Sequence, residues 1–203
     1  MALLSIKTRQ TYLKELGFYT GNIDGSVGPL TKKAYKELQN TYFVRSKDKD
    51  GLYGPNTDIL LRSAHNCYGI KNFKLTEFRC GCKGKYCTGY PAEVDKNLIS
   101  NLQVVRDKYC KSITVTSALR CKTYNKNVGG ISNSQHLKGK AADIIISGTQ
   151  SSTHKNRVAI VDYWDTLSNA KYAYCNGYLK YVGKKATAYY SKTMGNATHV
   201  NVK

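Results

Sequence analysis

Apolar residues recur at helical spacing in two segments of the second half of the chain. In residues 93–109 the repeat consists of Val94, Leu98, Leu102 and Val105, and residues 156–167 show the same spacing. Runs rich in β-branched or aromatic residues predict strands at 113–119, 142–146 and 199–202, with a hairpin-like region at 178–190. We therefore expect an α+β domain, in which a mostly antiparallel sheet carries helices on one face.

The first third of the chain has a different pattern, with three short amphipathic segments at 6–16, 32–42 and 57–64. Asp-Gly and Gly-Pro turn signals precede the last two segments, at residues 24–29 and again at 50–55. Each Gly-Pro pair is followed by a residue that can cap a helix, Thr31 in the first copy and Asn56 or Thr57 in the second. We expect a small three-helix domain over residues 1–66 and a larger domain over residues 67–203.

Two histidines and one aspartate of the second half have a spacing that suits a metal ion. Asp143 begins an apolar run, and His199 lies in an alternating segment that predicts a neighbouring strand. Gly139 lets the loop that carries His136 turn back tightly. A catalytic zinc takes three such ligands and leaves its fourth position to water. A His and an Asp at this spacing also occur by chance, and a single His more often serves only as a hydrogen-bonding residue.

Five positions carry a resemblance to a known family: Ser134, His136, Gly139, Ala141 and Asp143. Their pattern, S-x-H-x-x-G-x-A-x-D, resembles the signature of the M15-type zinc D-Ala-D-Ala carboxypeptidases and L-Ala-D-Glu endopeptidases, which act on peptidoglycan. The resemblance implies a Zn²⁺ cofactor bound by His136, Asp143 and His199. We assign Ser134, which opens the signature, to substrate binding.

Arg120 is the candidate catalytic residue beside this metal. It ends the strand predicted at 113–119, and that segment resembles the family strand whose Arg contacts the substrate near the scissile bond. A fixed guanidinium can hold a carboxylate or stabilise an oxyanion. The acidic general base that family members commonly carry before the last ligand has no counterpart in residues 191–198. The acid/base group therefore stays open between His154, Tyr189, Tyr190 and a residue distant in sequence.

A second resemblance lies in residues 16–57. The residues that carry it are Leu16, Gly17, Tyr19, Gly21, Asp24, Gly25, Gly28, Pro29 and Thr31, followed by Asp50, Gly51, Gly54 and Thr57. Their pattern resembles the three-helix peptidoglycan-binding domain that often accompanies wall hydrolases. Taken singly, most of these residues build turns and caps, so the side chains that touch the wall are not identified.

The chain is strongly basic, with 32 Lys and Arg against 13 Asp and Glu, and a formal net charge of +19. Residues 1–66 contain ten of these basic and six of the acidic residues, so the remaining residues carry most of the excess. Such a surface attracts polyanions. No recognition-helix or RNA-binding motif accompanies the charge, which argues against nucleic acid. The partners implied are bacterial peptidoglycan and anionic wall polymers such as teichoic acids.

No run of eighteen apolar residues occurs, so we expect no membrane insertion. The first ten residues also lack the apolar core of a secretory signal. With the two resemblances, this pattern predicts a protein similar to a phage endolysin of a Gram-positive host. Such an enzyme is made in the host cytoplasm without a signal peptide and acts at the cell wall after release.

The seven cysteines form one group and three isolated positions. A structural metal could use the four thiols of Cys80, Cys82, Cys87 and Cys121. The alternatives are free buried thiols or one disulfide. The odd total argues against a fully paired framework.

The sequence therefore predicts a zinc metallopeptidase that hydrolyses a bond of the peptidoglycan stem peptide. Among the family activities we favour the L-Ala-D-Glu endopeptidase, because a lytic enzyme must break the wall mesh. The alternatives are a D-Ala-D-Ala carboxypeptidase and a wall-binding protein whose active site has decayed. The missing acidic residue before His199 motivates the last alternative.

Overall fold

The computed structural model describes residues 2–181 and 194–203. Within these residues the chain forms six α-helices and one five-stranded sheet. The helices are α1 (Ile6–Glu15), α2 (Pro29–Tyr42), α3 (Pro55–Asn66), α4 (Lys96–Tyr109), α5 (Lys122–Asn127) and α6 (His154–Asp165). The strands are β1 (Ile113–Ser117), β2 (Ala141–Ile146), β3 (Ala170–Cys175), β4 (Tyr178–Tyr181) and β5 (Thr198–Val202). The predicted α+β class and the N-terminal helical region are confirmed.

Helices α2 and α3 begin earlier than the sequence pattern indicates. Each starts at the proline of its Gly-Pro pair, and the preceding glycine makes no side-chain capping bond. Proline suits this first position because its ring fixes a helical φ and its missing N–H would have no helical partner there. The expectation that Thr31, Asn56 or Thr57 caps a helix is therefore wrong. The Thr31 and Thr57 hydroxyls donate instead to backbone carbonyls of the preceding turns.

A buried glutamine holds each of the two Asp-Gly turns. The amide group of Gln10 donates to Asp24 Oδ1 at 2.7 Å and to the Ser26 carbonyl at 3.0 Å, and its oxygen accepts the Gly25 N–H at 2.9 Å. Gln39 makes the same three kinds of bond in the second copy, to Asp50, Leu52 and Gly51. In both copies of the internal repeat, the same three kinds of hydrogen bond therefore hold the turn. In each copy they come from a glutamine that lies outside the turn motif itself.

The sheet is antiparallel throughout, with the strand order β1-β2-β5-β3-β4. Helices α4 and α6 contact each other and both contact β5, so they cover one face as predicted. The Trp164 indole of α6 donates to the Asn201 carbonyl of β5 at 2.9 Å, and Val200 and Val202 are fully buried.

One strand prediction requires correction. The strand predicted at 113–119 ends at Ser117, because the Leu119 N–H leaves the sheet and donates to the Phe78 carbonyl. The first residues of the hairpin-like region predicted at 178–190 form strand β4, which pairs with β3 across a turn at Asn176-Gly177. The rest of the predicted hairpin lies outside the described residues.

Smaller boundaries also differ. The helix predicted from residue 93 begins at Lys96, because Asp95 caps it and accepts the Asn97 N–H at 2.8 Å. The helix predicted at 156–167 spans His154–Asp165, with Thr153 as its cap. Residues Leu75–Phe78 form a short 3-10 helix.

The helical region and the sheet region are joined by direct hydrogen bonds. The Val94 N–H donates to Ser63 Oγ at 3.0 Å, and the Val44 N–H donates to the Thr88 carbonyl at 3.0 Å. Helix α3 ends at Asn66, whose side chain donates to the Val94 carbonyl at 2.9 Å. A boundary between residues 66 and 67 stays a prediction.

None of the helices in the described part of the chain combines the length and the apolar character that a membrane span requires.

Among the glycines of the described residues, Gly139 is the one at which an added Cβ would have the least space. Its φ is +72°, and a Cβ there would collide with the carbonyl oxygen of Glu93. Gly129 has nearly the same φ, +73°, but a Cβ there would meet nothing within 4 Å. We expect Gly129→Ala to lower the free energy of unfolding by about 1–2 kcal/mol through φ alone.

At Gly139 we expect the same cost plus about 1–3 kcal/mol from the collision. Urea unfolding of the two alanine variants measures the difference. Equal destabilisation would contradict the close approach of the Gly139 loop to Glu93.

Candidate metal centre

Three potential metal ligands meet on one side of the sheet. Asp143 of β2 and His199 of β5 are direct partners in the antiparallel register, which confirms the predicted neighbouring strands. His136 comes from the 3-10 helix Gln135–Lys138, which precedes β2. All three side chains are buried.

The donor atoms of these residues form a compact triangle. His199 Nδ1 lies 2.8 Å from Asp143 Oδ1, and His136 Nε2 lies 3.3 Å from both of these atoms. In a tetrahedral zinc site with bonds of about 2.0–2.1 Å, neighbouring ligand atoms are about 3.3 Å apart. The donor set and its spacing therefore fit a zinc ion.

The His136 ring is fixed by backbone contacts on its other side. Its Nδ1 donates to the Ala118 carbonyl at 2.6 Å, which leaves the lone pair of Nε2 directed at the triangle. The Ser134 hydroxyl accepts the His136 N–H at 3.3 Å and caps the short helix. Such partners set the tautomer and orientation of a ligand histidine.

His199 has an equivalent partner in Asn201. The Asn201 side-chain nitrogen lies 3.1 Å from His199 Nε2, and the Asn201 Oδ1 is buried without a hydrogen-bond partner. Turning the amide by half a rotation would place Oδ1 against Nε2 as an acceptor. His199 would then carry its proton on Nε2 and present the Nδ1 lone pair to the triangle, as metal binding requires.

The pKa shifts of Asp143 and His199 favour the protonation states that bind a metal cation. Burial alone would raise the pKa of Asp143, but hydrogen bonds from His136 and His199, donated when each ring carries a proton on the nitrogen that faces Asp143, outweigh burial and keep this pKa well below its usual range. A bound metal ion would take the place of those protons. Burial also lowers the pKa of His199, although Asp143 opposes the effect. An ionised carboxylate beside a neutral imidazole is the protonation state in which these groups bind metals.

Arg120 lies beside the triangle, beyond the end of β1 rather than on it. Its Nη2 donates to Asp143 Oδ2 at 2.6 Å, its Nε donates to Ser117 Oγ at 2.9 Å, and its backbone N–H donates to the His136 carbonyl at 3.1 Å. Among the described residues the Nη1 of Arg120 has no hydrogen-bond partner. Arg120 thus orients the aspartate and retains one donor group.

The triangle opens into a cavity of about 300 Å³. Besides the three donor residues, its lining comprises Arg120, Val128, Gly129, Gly130, Ile131, Ser134, Tyr172, Tyr174 and Met194. Among the described lining residues, Asp143 is the sole carboxylate. This agrees with the absence of an acidic residue in the segment before His199.

Two cavity residues, Tyr172 and Tyr174 of β3, are not among the site residues predicted from the sequence. Their rings stack on the His199 ring, with centroid distances of 5.7 Å and 4.5 Å. The alternation of the two tyrosines just before Asn176-Gly177 is the signal that predicts this strand, because Asn-Gly is a strong hairpin turn.

The other predicted site residues have separate outcomes. Ser134 lines the cavity while it caps the His136 helix, and its contact with substrate stays a prediction. His154 is exposed at the start of α6 and is not part of the described cavity lining. Tyr189 and Tyr190 lie outside the described residues. Cys80, Cys82, Cys87 and Cys121 come together as a second cluster, whose sulfur atoms lie within 4.8 Å of one another.

Comparison with known proteins agrees with this geometry. The chain is 36% identical over 129 residues to the zinc D-Ala-D-Ala carboxypeptidase of Streptomyces albus G. The matched part is 60% of this chain and 49% of the relative, so the chain spans about half the length of that curated relative. Residues 5–57 match the family described as "Putative peptidoglycan binding domain". Residues 71–177, more than half of the chain, match the Peptidase M15 family. The chain therefore belongs to the Peptidase M15 family.

Proposed function

We propose that this protein is a zinc-dependent peptidase that hydrolyses a bond in the stem peptide of peptidoglycan. His136, Asp143 and His199 are the proposed zinc ligands. The observation that carries the proposal is the buried triangle of their donor atoms, 2.8–3.3 Å apart, at the wall of an open cavity. Two imidazoles and one carboxylate form a donor set typical of catalytic zinc.

When bound, zinc would polarise the scissile carbonyl and lower the pKa of water to about 7. The side chains of this chain would hold and orient the reactants. Asp143 and the two histidines supply the ligands, and Arg120 keeps Asp143 in place through its Nη2. The remaining Nη1 of Arg120 is available to a substrate carboxylate or to the oxyanion that develops during hydrolysis.

We propose the L-Ala-D-Glu bond as the site of cleavage. This choice is supported by the resemblance to phage endolysins, whose action at the wall requires that the mesh be broken. The second candidate is the terminal D-Ala-D-Ala bond, which is favoured by the name of the relative from Streptomyces albus G. In both bonds the residue after the scissile bond carries a free carboxylate, so Arg120 suits either.

Attachment to the wall is proposed for residues 5–57, which match the peptidoglycan-binding family. The net charge of +19 adds a longer-range attraction to wall carboxylates and phosphate polymers. Both features support the proposal that the enzyme attaches to its polymeric substrate and acts at the bacterial wall.

Analysis of the peptide products tests which of the two bonds the protein cleaves. We expect zinc-loaded protein to release, from purified Gram-positive peptidoglycan, peptides with a new D-Glu amino terminus that mass spectrometry detects. Loss of terminal D-Ala alone would replace the endopeptidase with the carboxypeptidase. A wall that binds the protein and stays intact would favour a non-catalytic binding protein.

Replacement of His136 by Ala tests the proposed metal site. The variant should lose one zinc per chain and all measurable cleavage, because it keeps only two of the three protein donors that a catalytic zinc takes. Its circular dichroism should match that of the parent, and the two unfolding midpoints should be close when both proteins are measured with chelator, because bound zinc stabilises the folded state. His65→Ala, in helix α3, is the matched control and should keep both zinc and cleavage. Cleavage that survives in His136→Ala would refute the assignment.

Asn201 is predicted to set the tautomer of His199. Asn201→Ala should weaken zinc binding by about 10–100-fold, as expected for the loss of a partner behind a metal ligand. Asn201→Asp, which keeps an acceptor oxygen, should bind zinc more tightly than Asn201→Ala. Competition with a chelator measures the affinity, and the exposed Asn127→Ala serves as the control. Unchanged affinity in Asn201→Ala would contradict this role.

A further inference from the structure

A second group of metal-binding side chains lies outside the proposed active site. The sulfur atoms of Cys80, Cys82, Cys87 and Cys121 all lie within 4.8 Å of one another, and those of Cys82 and Cys87 are 3.4 Å apart. In a tetrahedral site with Zn–S bonds of about 2.3 Å, neighbouring sulfur atoms are about 3.8 Å apart. The cluster therefore has nearly the dimensions of a four-thiolate zinc site.

The backbone around the first three cysteines is folded to bring them together. The Lys85 N–H donates to the Cys82 carbonyl at 2.9 Å, and the Cys80 N–H donates to the Gly89 carbonyl at 2.8 Å. Lys83 adopts a left-handed φ of +51° and Gly84 one of +86°. Two successive residues in this region form a tight turn, which returns the chain towards Cys87.

Cys121 approaches from a distant part of the sequence. Its backbone N–H donates to Cys80 Sγ at 3.3 Å, a contact that stabilises a thiolate. Cys121 is buried and is also the residue that precedes helix α5. Three of the four cysteines thus lie on one compact loop, and the fourth, Cys121, lies directly after Arg120.

The surroundings favour negative charge on the sulfur of Cys80 but not on every sulfur, because the hydrogen bond that Cys87 donates to Cys80 raises the pKa of Cys87. A hydrogen bond from the Cys87 thiol, aided by backbone N–H groups, lowers the pKa of Cys80 to about 5. Burial raises the pKa of Cys121. Arg45 is close enough that the sulfurs of Cys87 and Cys82 add to the effect of Asp48 in raising its pKa. A cation would allow the remaining thiols to ionise as well.

We propose that Cys80, Cys82, Cys87 and Cys121 bind a structural zinc ion. Binding exchanges the thiol protons for Zn²⁺, with no change in oxidation state. Four protein ligands leave no position for water, so this ion would stabilise structure rather than take part in hydrolysis. The inference does not depend on the proposed peptidase function.

The position of the cluster indicates what such an ion would stabilise. On one side Cys121 directly follows Arg120, which contacts the proposed ligand Asp143. On the other side the cysteine loop meets the helical region, since a Cβ on Gly84 or Gly89 would touch Val44. Zinc would therefore tie the Arg120 backbone to the loop that contacts the helical region.

A disulfide between Cys82 and Cys87 is the competing arrangement, because these two sulfur atoms lie only 3.4 Å apart. It would need an oxidant, and it would leave Cys80 and Cys121 unbonded in the interior. Four sulfurs at mutual contact distance suit one shared ion better than one bonded pair.

Zinc analysis of the full chain, purified without chelator, tests the proposal. We expect two zinc ions per chain in the parent protein and one in Cys82→Ser. His136→Ala should also retain one ion, whereas the exposed Cys110→Ser should retain two. One ion in the parent that Cys82→Ser leaves in place would overturn the cysteine site and leave the proposed peptidase intact. Iron in place of the second zinc would overturn the metal identity.

Cobalt substitution gives a readout that does not require a cysteine variant to fold. His136→Ala loaded with Co²⁺ should show thiolate-to-cobalt charge-transfer absorption and the strong visible bands of a tetrahedral ion. Absence of the charge-transfer band would contradict four-thiolate binding. A Cys82–Cys87 disulfide, detected by mass spectrometry of freshly alkylated parent protein, would equally overturn the proposal.

Discussion

The pairing of β2 with β5 is the constraint on which the site depends. It places Asp143 directly opposite His199, while Val200 and Val202 pack under the helices on the other face. Because side chains alternate between the faces of a strand, a slip of one residue would bury His199 among apolar groups and turn a valine into the cavity. The packing of α6 on β5, anchored by the bond from Trp164 to the Asn201 carbonyl, therefore helps to fix the position of His199 on the opposite face of the strand.

Arg120 contacts both a charged side chain of the site and the backbone that positions His136. Its side chain offsets the charge of buried Asp143, and its backbone N–H holds the loop of His136. A buried carboxylate is costly unless it is paired and hydrogen-bonded, and here two imidazoles and a guanidinium share that task. Loss of this one residue would disturb the charge of the site, the orientation of the proposed ligand Asp143 and the proposed substrate contact together, so these contributions cannot be separated by a single substitution.

The sequence predicts local features of this protein better than features that depend on distant contacts. The spacing of His136 and Asp143 and the apolar run after Asp143 were sufficient to predict a loop followed by a buried strand. Strand β3 was missed although Tyr172 and Tyr174 alternate before the Asn176-Gly177 turn, because its buried positions hold alanine and cysteine rather than large apolar residues, and its pairing with β4 and β5 is known only from the fold. Asn201 and Gln39 were missed for a related reason, since single polar residues give no periodic signal before their partners are known.

The hydrogen bonds between the helical region and the sheet region have a consequence for how the protein would work on a polymer. Val94 and Val44 anchor the two regions at separate points, so a flexible tether does not connect them. A tethered enzyme samples a sphere whose radius is set by linker length. Here the distance and direction from the helices proposed to bind the wall to the cavity are set by the fold, so the fold would also set how far from its attachment point the protein acts.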